Sequence, residues 1–331
     1  MTLFLGLDGG GTKTAVVLVD TDGDDGTVLA RWRGPGCSWL DDGVDAAAAV
    51  VREGTHQVLA AAGRSADELG HAFYGLPGHG ESASTDLLLD ALPCDALGHD
   101  RSTVGNDVLA GWAGSLGGQD GINVVAGTGS ITYGERGTHT HRVGGWSELI
   151  GDEGSAHWVA RRGLNAFSRM ADGRLPRTAL YGLLREHTGI AEDLDLVGLL
   201  MQDLQAERAA VAAFSRVVTA AAAAGDPVAA AVLDDAVDEL VQQVRVVADR
   251  IGDRPDGAPT AVSSSGGMFS DDGFRHRFVA RVAAERDAGA RPRFALVEPV
   301  LPPELGAVVY AIRRAGDPVP VTWRDAAPGQ H

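Results

Sequence analysis

The chain has 331 residues, 45 of them acidic and 28 basic, so its formal net charge at pH 7 is −17. This charge argues against nucleic acid and anionic membrane surfaces as partners, because both are polyanions. The length favours two domains over one, and the hydrophobic content of 44% is ordinary for a globular protein.

Two further features of the composition concern location and metals. Cys37 and Cys94 are the only cysteines, and neither has the CxxC or Cys/His spacing of a zinc or iron–sulfur site. No apolar run reaches the roughly 18 residues of a membrane span, and the N-terminus lacks the pattern of a secretory signal. We therefore expect a soluble, cytoplasmic protein in a reducing compartment.

The N-terminal third predicts the element order β-β-β-α-β-α-β-α. Apolar and β-branched runs predict five strands, at residues 3–7, 14–19, 28–33, 72–75 and 102–105. Helical patterns cover residues 44–62 and 82–92. A third helix is predicted to begin near Asp107, whose side chain could cap it, and to end near Gly114.

The same order then restarts. Strands are predicted at residues 122–126, 131–133 and 141–144, followed by a helix at 154–171 and a helical insertion at 175–251. The alternation resumes with a strand at 260–265, a helix at 273–286, a strand at 294–298 and a helix at 303–315. We predict an α/β protein built from a duplicated unit, with domains at 1–116 and 117–331, and expect helix 303–315 to be able to pack back on the first.

Both copies place a glycine-rich turn between their first two strands, in LGLDGGGTKT and VVAGTGSITYG. Glycines have no Cβ, so their N–H groups can approach an anion closely, and Asp8 offers a carboxylate for phosphate-bound Mg²⁺. For the first turn alone, an ordinary hairpin is the alternative. Both turns open strands and neither follows GxxxxGK[ST], which argues against a P-loop and a dinucleotide-binding fold.

These two turns, together with GGWSELIGDEGSAHWVA and SSGGMF, resemble the N-acetylglucosamine kinases. Their family also includes bacterial glucosamine kinases and the ATPase subunits of benzoyl-CoA reductase, and it belongs to the actin-like ATPase and sugar-kinase superfamily. The resemblance implies two actin-like (ribonuclease H-like) domains facing a nucleotide cleft. It also implies ATP with Mg²⁺, phosphorylation of the 6-hydroxyl of an amino sugar, and a homodimer, which is usual among the relatives.

The resemblance also implies roles for individual residues. Asp107 would be the general base and Asp8 the Mg²⁺ ligand. The residues expected to bind the nucleotide are Gly9, Gly10, Gly11, Thr12, Lys13, Thr128, Gly129, Ser130, Asp226, Gly266 and Gly267. The residues expected to bind the sugar are Cys37, Ser38, Asp107, Gly145, Trp146 and Asp152.

Several alternatives remain open at this point. Cys37 occupies a position where these kinases usually carry a sugar-binding Asn, so either Ser38 substitutes for that Asn or the substrate differs from N-acetylglucosamine. Glucosamine is the second candidate, and N-acetylmannosamine and muramic-type sugars are further ones. Trp146 could be a core residue, and Asp226 could be a helix cap before a proline at N1. A reductase-activating ATPase would need cysteines for its iron–sulfur cluster, and a sugar sensor would not need the retained Asp8 and Asp107.

Overall fold

The computed structural model describes residues 2–326. Its strands are β1 Thr2–Gly9, β2 Lys13–Asp22, β3 Asp25–Pro35, β4 Leu69–Leu76, β5 Ser102–Asn106, β6 Gly121–Ala126, β7 Ser130–Arg136, β8 His139–Gly144, β9 Thr260–Ser265, β10 Phe294–Leu296 and β11 Thr322–Asp325. Its α-helices are α1 Trp39–Asp42, α2 Val44–Ala61, α3 Ala83–Leu89, α4 Leu92–Leu97, α5 Asp107–Leu116, α6 Ser147–Ile150, α7 Ala156–Ala171, α8 Ala179–Thr188, α9 Asp195–Gly198, α10 Arg208–Ala212, α11 Ser215–Ala223, α12 Pro227–Ile251, α13 Asp272–Ala284 and α14 Pro303–Ala315.

The chain divides into two compact units, each with its own sheet. Unit 1 holds the residues up to Gln119 and those from Pro299 on, and unit 2 holds Asp120–Glu298. The strand orders are β11-β3-β2-β1-β4-β5 and β10-β9-β6-β7-β8. In each sheet the first three strands of the repeat pair antiparallel and the last two pair parallel. This shared topology confirms the predicted duplicated actin-like α/β fold, with helices α8 to α12 inserted in unit 2.

Helix α14 belongs to unit 1 although it ends the second repeat. Gly6 of β1 explains the fit, because a Cβ there would lie 2.6 Å from Val308 N and 2.8 Å from Glu304 O. The helix therefore packs directly on the backbone of β1. The expected second domain at 117–331 accordingly ends at Glu298, and the remaining segment covers the first sheet.

The first sheet is covered on both faces. Alternate side chains of a strand point to opposite faces, and Leu3, Leu5 and Leu7 of β1 pack in the cluster that contains α2 and α4. Phe4 points the other way, into the cluster formed with α14. A strand that is buried on both faces reads as a continuous apolar run, as β1 does in the sequence.

Several elements differ from the sequence prediction, among them the four-residue helices α1 and α6, which were not predicted. The helix expected at 82–92 is two helices, α3 and α4, because Pro93 in the first turn of α4 lacks an N–H and its ring opposes continuation of the preceding helix. Strand β11 was not predicted, since only four residues form it. It pairs parallel with β3, and Arg31 of β3 contacts Asp325 at 3.2 Å and Glu304 at 3.4 Å.

The core of unit 2 surrounds α12. This helix fully buries Val237, Leu240 and Val244, and α7, α11 and α13 pack against it. Among residues 2–326, no single helix is both long and apolar enough to cross a membrane. The consecutive segments Arg208–Ala223 and Pro227–Ile251 would be long and apolar enough only if taken together, and the chain bends by 118° between them.

Gly306 tests the contact between α14 and α5. A Cβ on Gly306 would press on Ala110 O and lie 2.7 Å from the Cα of Gly114. We expect Gly306→Ala to lower the free energy of unfolding by about 1–3 kcal/mol in urea titration, because backbone atoms cannot rotate away. Gly182→Ala in α8 is the control: nothing lies within 4 Å of its Cβ, and it should add about 0.5–1 kcal/mol. Equal stability of both variants would contradict the close crossing.

Candidate active site

Asp8 and Asp107 lie at the carboxyl edge of the parallel strands of unit 1. Asp8 pairs with Gly75 of β4, and Gly75 pairs with Gly105 of β5, so the three residues form one row across the sheet. Asp107 follows Gly105 by two positions. A Cβ on Gly75 would lie 3.2 Å from the Cα of Asp107. The missing side chain thus lets the start of α5 approach the row, at the edge where ligands bind in open α/β sheets.

The N-terminus of α5 is capped by Asn106. Its Oδ1 accepts a hydrogen bond from Val108 N at 3.2 Å, and its Nδ2 donates to His79 O at 2.9 Å. The prediction that Asp107 caps this helix is therefore wrong, because the extended backbone at Asn106 places that side chain over the first turn. Asp107 is the first helical residue, where the positive end of the helix favours a carboxylate.

Negative charge is concentrated at Asp8. The pKa of Asp8 is raised well above its usual range, first by burial and then by the charges of Asp107 and Glu304, while Lys13 lowers it. A divalent cation would relieve this repulsion. Within residues 2–326 no three acidic, histidine or cysteine side chains converge to hold a metal by themselves. Mg²⁺ usually keeps several waters and binds one or two carboxylates together with substrate phosphates, so Asp8 fits as its protein ligand.

The first glycine loop is fixed from behind. Gly10 N donates to Lys13 O at 3.0 Å, and Cys37 N donates to Gly10 O at 3.1 Å. Gly36 lies against Gly11 O, with no room for a Cβ. In a trans peptide the C=O and the N–H of one unit point in opposite directions. The N–H groups of Gly11 and Thr12 therefore point away from segment 36–37, on the side where Gly11, Thr12 and Lys13 are exposed.

The second glycine loop has the same construction from different parts. Gly127 O accepts from Ala156 N at 2.9 Å, and Thr128 O accepts from His157 N at 3.3 Å, so the start of α7 holds both carbonyls. By the same peptide geometry, the N–H groups of Thr128 and Gly129 point away from α7. Each loop thus presents two adjacent N–H groups in one direction, which is the arrangement of an anion-binding nest.

Cys37 packs beneath the first loop. Its Sγ lies directly against Gly9, where any Cβ would collide with it, and the residue is 2% exposed. Burial, together with the charges of Asp107 and Asp8, raises the pKa of the thiol to about 11, although the neighbouring Thr14 hydroxyl opposes this rise. Ser38 is also buried. Cys37 and Ser38, two of the six residues predicted to bind the sugar, thus lie within the packing of the loop.

The segment between β8 and α7 has an unusual backbone. Gly144 and Gly145 have φ values of +80° and +70°, and Ser147 and Asp152 adopt positive φ although they carry side chains. Gly145 N donates to Ser130 O at 3.0 Å, which ties the segment to the second loop. Trp146 is 69% exposed, so its alternative assignment to the core is wrong.

Asp152 lies below the second loop. It is 2% exposed, its Oδ1 accepts from Ser130 N at 3.4 Å, and its Oδ2 pairs with Arg208. Burial raises the pKa of Asp152, and Arg208 opposes that rise without cancelling it. Ser130 in turn donates its hydroxyl to Glu153 O at 2.7 Å. The predicted sugar ligand and phosphate loop are therefore in contact.

Arg208 is a residue that sequence reasoning missed. It lies on α10 in the helical insertion, 56 positions from Asp152, and reaches the loop because α10 packs against α7. No motif marks it among the other arginines of the insertion helices. Only the packing of the insertion against the second loop brings it to the site.

Asp226 ties two helices together. Its Oδ1 accepts from Val228 N at 2.9 Å and Ala229 N at 3.0 Å, and its Oδ2 accepts from Leu180 N at 2.7 Å. Burial alone would raise the pKa of Asp226, but hydrogen bonds from Thr178 and these N–H groups outweigh it and lower the pKa. The cap before Pro227 is thus the role visible in the structure, and contact with the nucleotide stays a prediction.

Gly266 and Gly267 follow β9 and lie beside the second loop. Gly266 has a φ of +101°, and a Cβ there would lie 2.5 Å from Ala126 C and O. A Cβ on Gly267 would have no neighbouring atom within 4 Å, so the space beside this residue is open. Two cavities of about 340 and 390 Å³ lie elsewhere in unit 2, the first beside Arg293 and the second beside Arg281. Neither cavity includes a predicted site residue.

The cap at Asp226 predicts a pH-dependent stability. We expect Asp226→Ala to lower the free energy of unfolding by about 2 kcal/mol, because several buried N–H groups lose their acceptor. The folded pKa is below the unfolded value of about 3.9. The contribution is therefore complete above that pH and is lost as the pH falls through the folded pKa. Urea titrations of both proteins over acidic pH measure the difference.

Asp271→Ala is the matched control for this cap. Asp271 caps α13 and accepts one hydrogen bond, from Phe274 N at 2.8 Å. Its loss should cost only about 1 kcal/mol. Equal costs for the two substitutions would show that the bond to Leu180 N adds nothing.

Curated relatives match this chain along most of its length. An N-acetyl-D-glucosamine kinase from Dictyostelium discoideum is 26% identical over 321 residues, which are 94% of this chain and 98% of that protein. An N-acetylmuramic acid/N-acetylglucosamine kinase from Clostridium acetobutylicum is 28% identical over 252 residues, 75% of this chain and 80% of that protein.

Solved structures share the fold. A candidate N-acetylglucosamine kinase from Chromobacterium violaceum aligns with a TM-score of 0.71 at 24% identity, covering 94% of this chain and 99% of that chain. A ROK family glucokinase from Streptomyces griseus, solved with glucose and AMPPNP, aligns with a TM-score of 0.53 at 16% identity and covers 95% and 99%. The model of the BadF/BadG/BcrA/BcrD ATPase family matches residues 5–311. That match spans most of the chain and, together with the glycine loop in each repeat, establishes that this protein belongs to the BadF/BadG/BcrA/BcrD ATPase family.

Proposed function

We propose that this protein is an ATP-dependent kinase that transfers the γ-phosphoryl group to the 6-hydroxyl of N-acetylglucosamine. The observation that carries the proposal is the pair of anion-binding loops, one in each unit, with Asp8 and Asp107 together at the sheet edge beside the first. Membership of an ATPase family and the curated relatives named as N-acetylglucosamine kinases support a phosphotransferase acting on an amino sugar.

The loops supply binding and charge stabilisation for phosphate. N–H groups of Gly11 and Thr12 in unit 1, and of Thr128 and Gly129 in unit 2, donate to phosphate oxygens, and Lys13 adds a positive charge. Phosphoryl transfer needs little covalent chemistry from the protein, so its rate depends on positioning and on stabilising charge on the transferred group. Donors that are fixed from behind need no reorganisation during the reaction.

Asp107 acts as the general base. Its carboxylate accepts the proton of the sugar hydroxyl as that oxygen forms a bond to the γ-phosphorus, the bond from phosphorus to the β,γ-bridging oxygen breaks, and ADP leaves. Asp8 would hold Mg²⁺, which would neutralise charge on the phosphates. The position of Asp107 beside Gly75 sets the base at the same edge as Asp8.

The sugar is bound by the segment from Gly145 to Asp152. The indole of Trp146 is exposed and available to contact a sugar ring, and the carboxylate of Asp152, which is buried beside the second loop, is the hydrogen-bond acceptor. Glucosamine is the second candidate substrate, and Cys37 favours it. A thiol is a weak hydrogen-bonding group, and this one is buried against Gly9, so it is a poor replacement for the Asn that usually binds the sugar.

The direct test is ADP release, by coupled assay, with ATP and a panel of amino sugars. We expect the largest kcat/KM with N-acetylglucosamine, and ¹H–³¹P correlation NMR should place the phosphate on the 6-oxygen. The panel should include glucosamine, N-acetylmannosamine and N-acetylmuramic acid. ADP release that no sugar accelerates would overturn the proposal, and preference for glucosamine would select the second candidate.

Replacement of Asp107 separates catalysis from nucleotide binding. We expect Asp107→Asn to reduce kcat by about 10² to 10⁴. Lys13 is the only lysine in the chain, so its acylation by an ATP acyl phosphate, and protection by ATP, reports nucleotide binding directly. Asp107→Asn should retain both this labelling and its protection by ATP. Asp272→Asn is the control, because Asp272 is likewise the first residue of a helix. Near wild-type turnover in Asp107→Asn would remove this residue from the mechanism.

A further inference from the structure

Arg208 connects three parts of the proposed site. Its guanidinium lies directly against Gly129 of the second loop, where a Cβ could not be accommodated. The same group forms an ion pair with Asp152, and its Nε lies 3.3 Å from Glu148 Oε2. The side chain of Arg208 is 42% exposed, whereas that of Asp152 is 3% exposed. One partly solvated cation therefore compensates a buried carboxylate.

We propose that Arg208 is a positioning residue of the sugar site, which holds Asp152 against the second phosphate loop as an ionised hydrogen-bond acceptor. The inference rests on the proposed function, because it assigns Asp152 to the sugar. An ionised carboxylate only accepts hydrogen bonds, so it matches sugar hydroxyls, which donate. Once protonated, it would lose much of this capacity and would also lose its attraction to Arg208.

The geometry gives the pair little freedom. Asp152 has a φ of +57°, in the left-handed region that residues other than glycine adopt uncommonly. Its Oδ1 accepts from Ser130 N and its Oδ2 faces Arg208, so both oxygens are directed by the loop and the insertion. A buried carboxylate without its cation would be strongly disfavoured. Arg208 thus fixes both the direction and the charge of the acceptor.

The surrounding charges determine in which direction the pKa of Asp152 should change when Arg208 is lost. Burial raises the pKa of Asp152 and Glu148 raises it further, whereas Arg208 lowers it. On α7, His157 has a pKa lowered mainly by burial and then by Arg161, and it stands near the same group of charges. Loss of Arg208 removes the principal opposing charge. The pKa of Asp152 should then rise. As the pH is lowered, sugar binding should therefore begin to weaken at a higher pH in the variant than in the wild type.

The experiment compares Arg208→Gln and Arg208→Lys with wild type in sugar-dependent ADP release over a range of pH. We expect Arg208→Gln to raise KM for N-acetylglucosamine about 10- to 100-fold at neutral pH, since a charge-assisted contact is lost. The pH below which KM rises should shift upward, and Arg208→Lys should recover part of the loss. Acylation of Lys13 by an ATP acyl phosphate should change less than about twofold, because the proposed nucleotide contacts are backbone N–H groups and Lys13, and Arg208 supplies none of them.

Arg162→Gln is the control. Arg162 forms an exposed ion pair with Asp235 at 2.9 Å in the same unit, and its loss should leave KM and its pH profile unchanged. A double-mutant cycle with Asp152→Asn provides a second measurement, because this side chain cannot titrate. In that background Arg208→Gln should raise KM less than about twofold.

The outcomes separate the two proposals. If wild type phosphorylates no sugar, the proposed function fails and this inference fails with it. If wild type is active, a wild-type pH profile in Arg208→Gln, or full additivity with Asp152→Asn, overturns the inference alone. If Arg208→Gln does not fold, Arg208→Lys replaces it, and the pKa of Asp152 is measured by carboxyl ¹³C NMR. The Asp152 signal is assigned by its absence in Asp152→Asn. If Arg208→Lys and wild type have the same pKa at Asp152 but different KM values, the inference is overturned.

Discussion

The orientation of the peptide groups in the two glycine loops is the constraint on which the site depends. In each loop, carbonyl oxygens are held from behind, by segment 36–37 in unit 1 and by the start of α7 in unit 2. A planar trans peptide then directs the attached N–H groups forward. The duplicated strands position the loops, but the elements behind them differ between the units. The same anion nest is therefore built twice with different supports.

The two units surround their buried carboxyl groups with different charges. In unit 1, burial and then the charges of Asp107 and Glu304 raise the pKa of Asp8, which suits a site for a divalent cation. Unit 2 instead pairs its buried carboxylate, Asp152, with Arg208. A buried carboxyl group beside other acids is neutralised by a proton or by a bound cation, whereas one that faces an arginine is compensated within the fold.

Close backbone approach is the other recurrent device. Gly75 admits the start of α5, Gly6 admits α14, and Gly9 admits the thiol of Cys37. Each contact brings a neighbouring group closer to the backbone of a strand than a side chain would allow. The departure at Cys37 acquires a physical meaning in this context, since the thiol fills the space behind the first loop.

The sequence by itself determined the repeat, the two glycine loops, most strands and helices, and the family, because periodicity and glycine-rich turns are local properties of the chain. It did not determine the cap at Asn106, the break before Pro93 or strand β11, which depend on a few neighbouring atoms or on a distant edge strand. The sequence allowed α14 to pack on the first domain, but only the tertiary structure decided that it does so and that Arg208 meets Asp152. Such contacts join residues far apart in the chain, and the packing of backbone against backbone at glycines leaves no periodic signal that reading the sequence could detect.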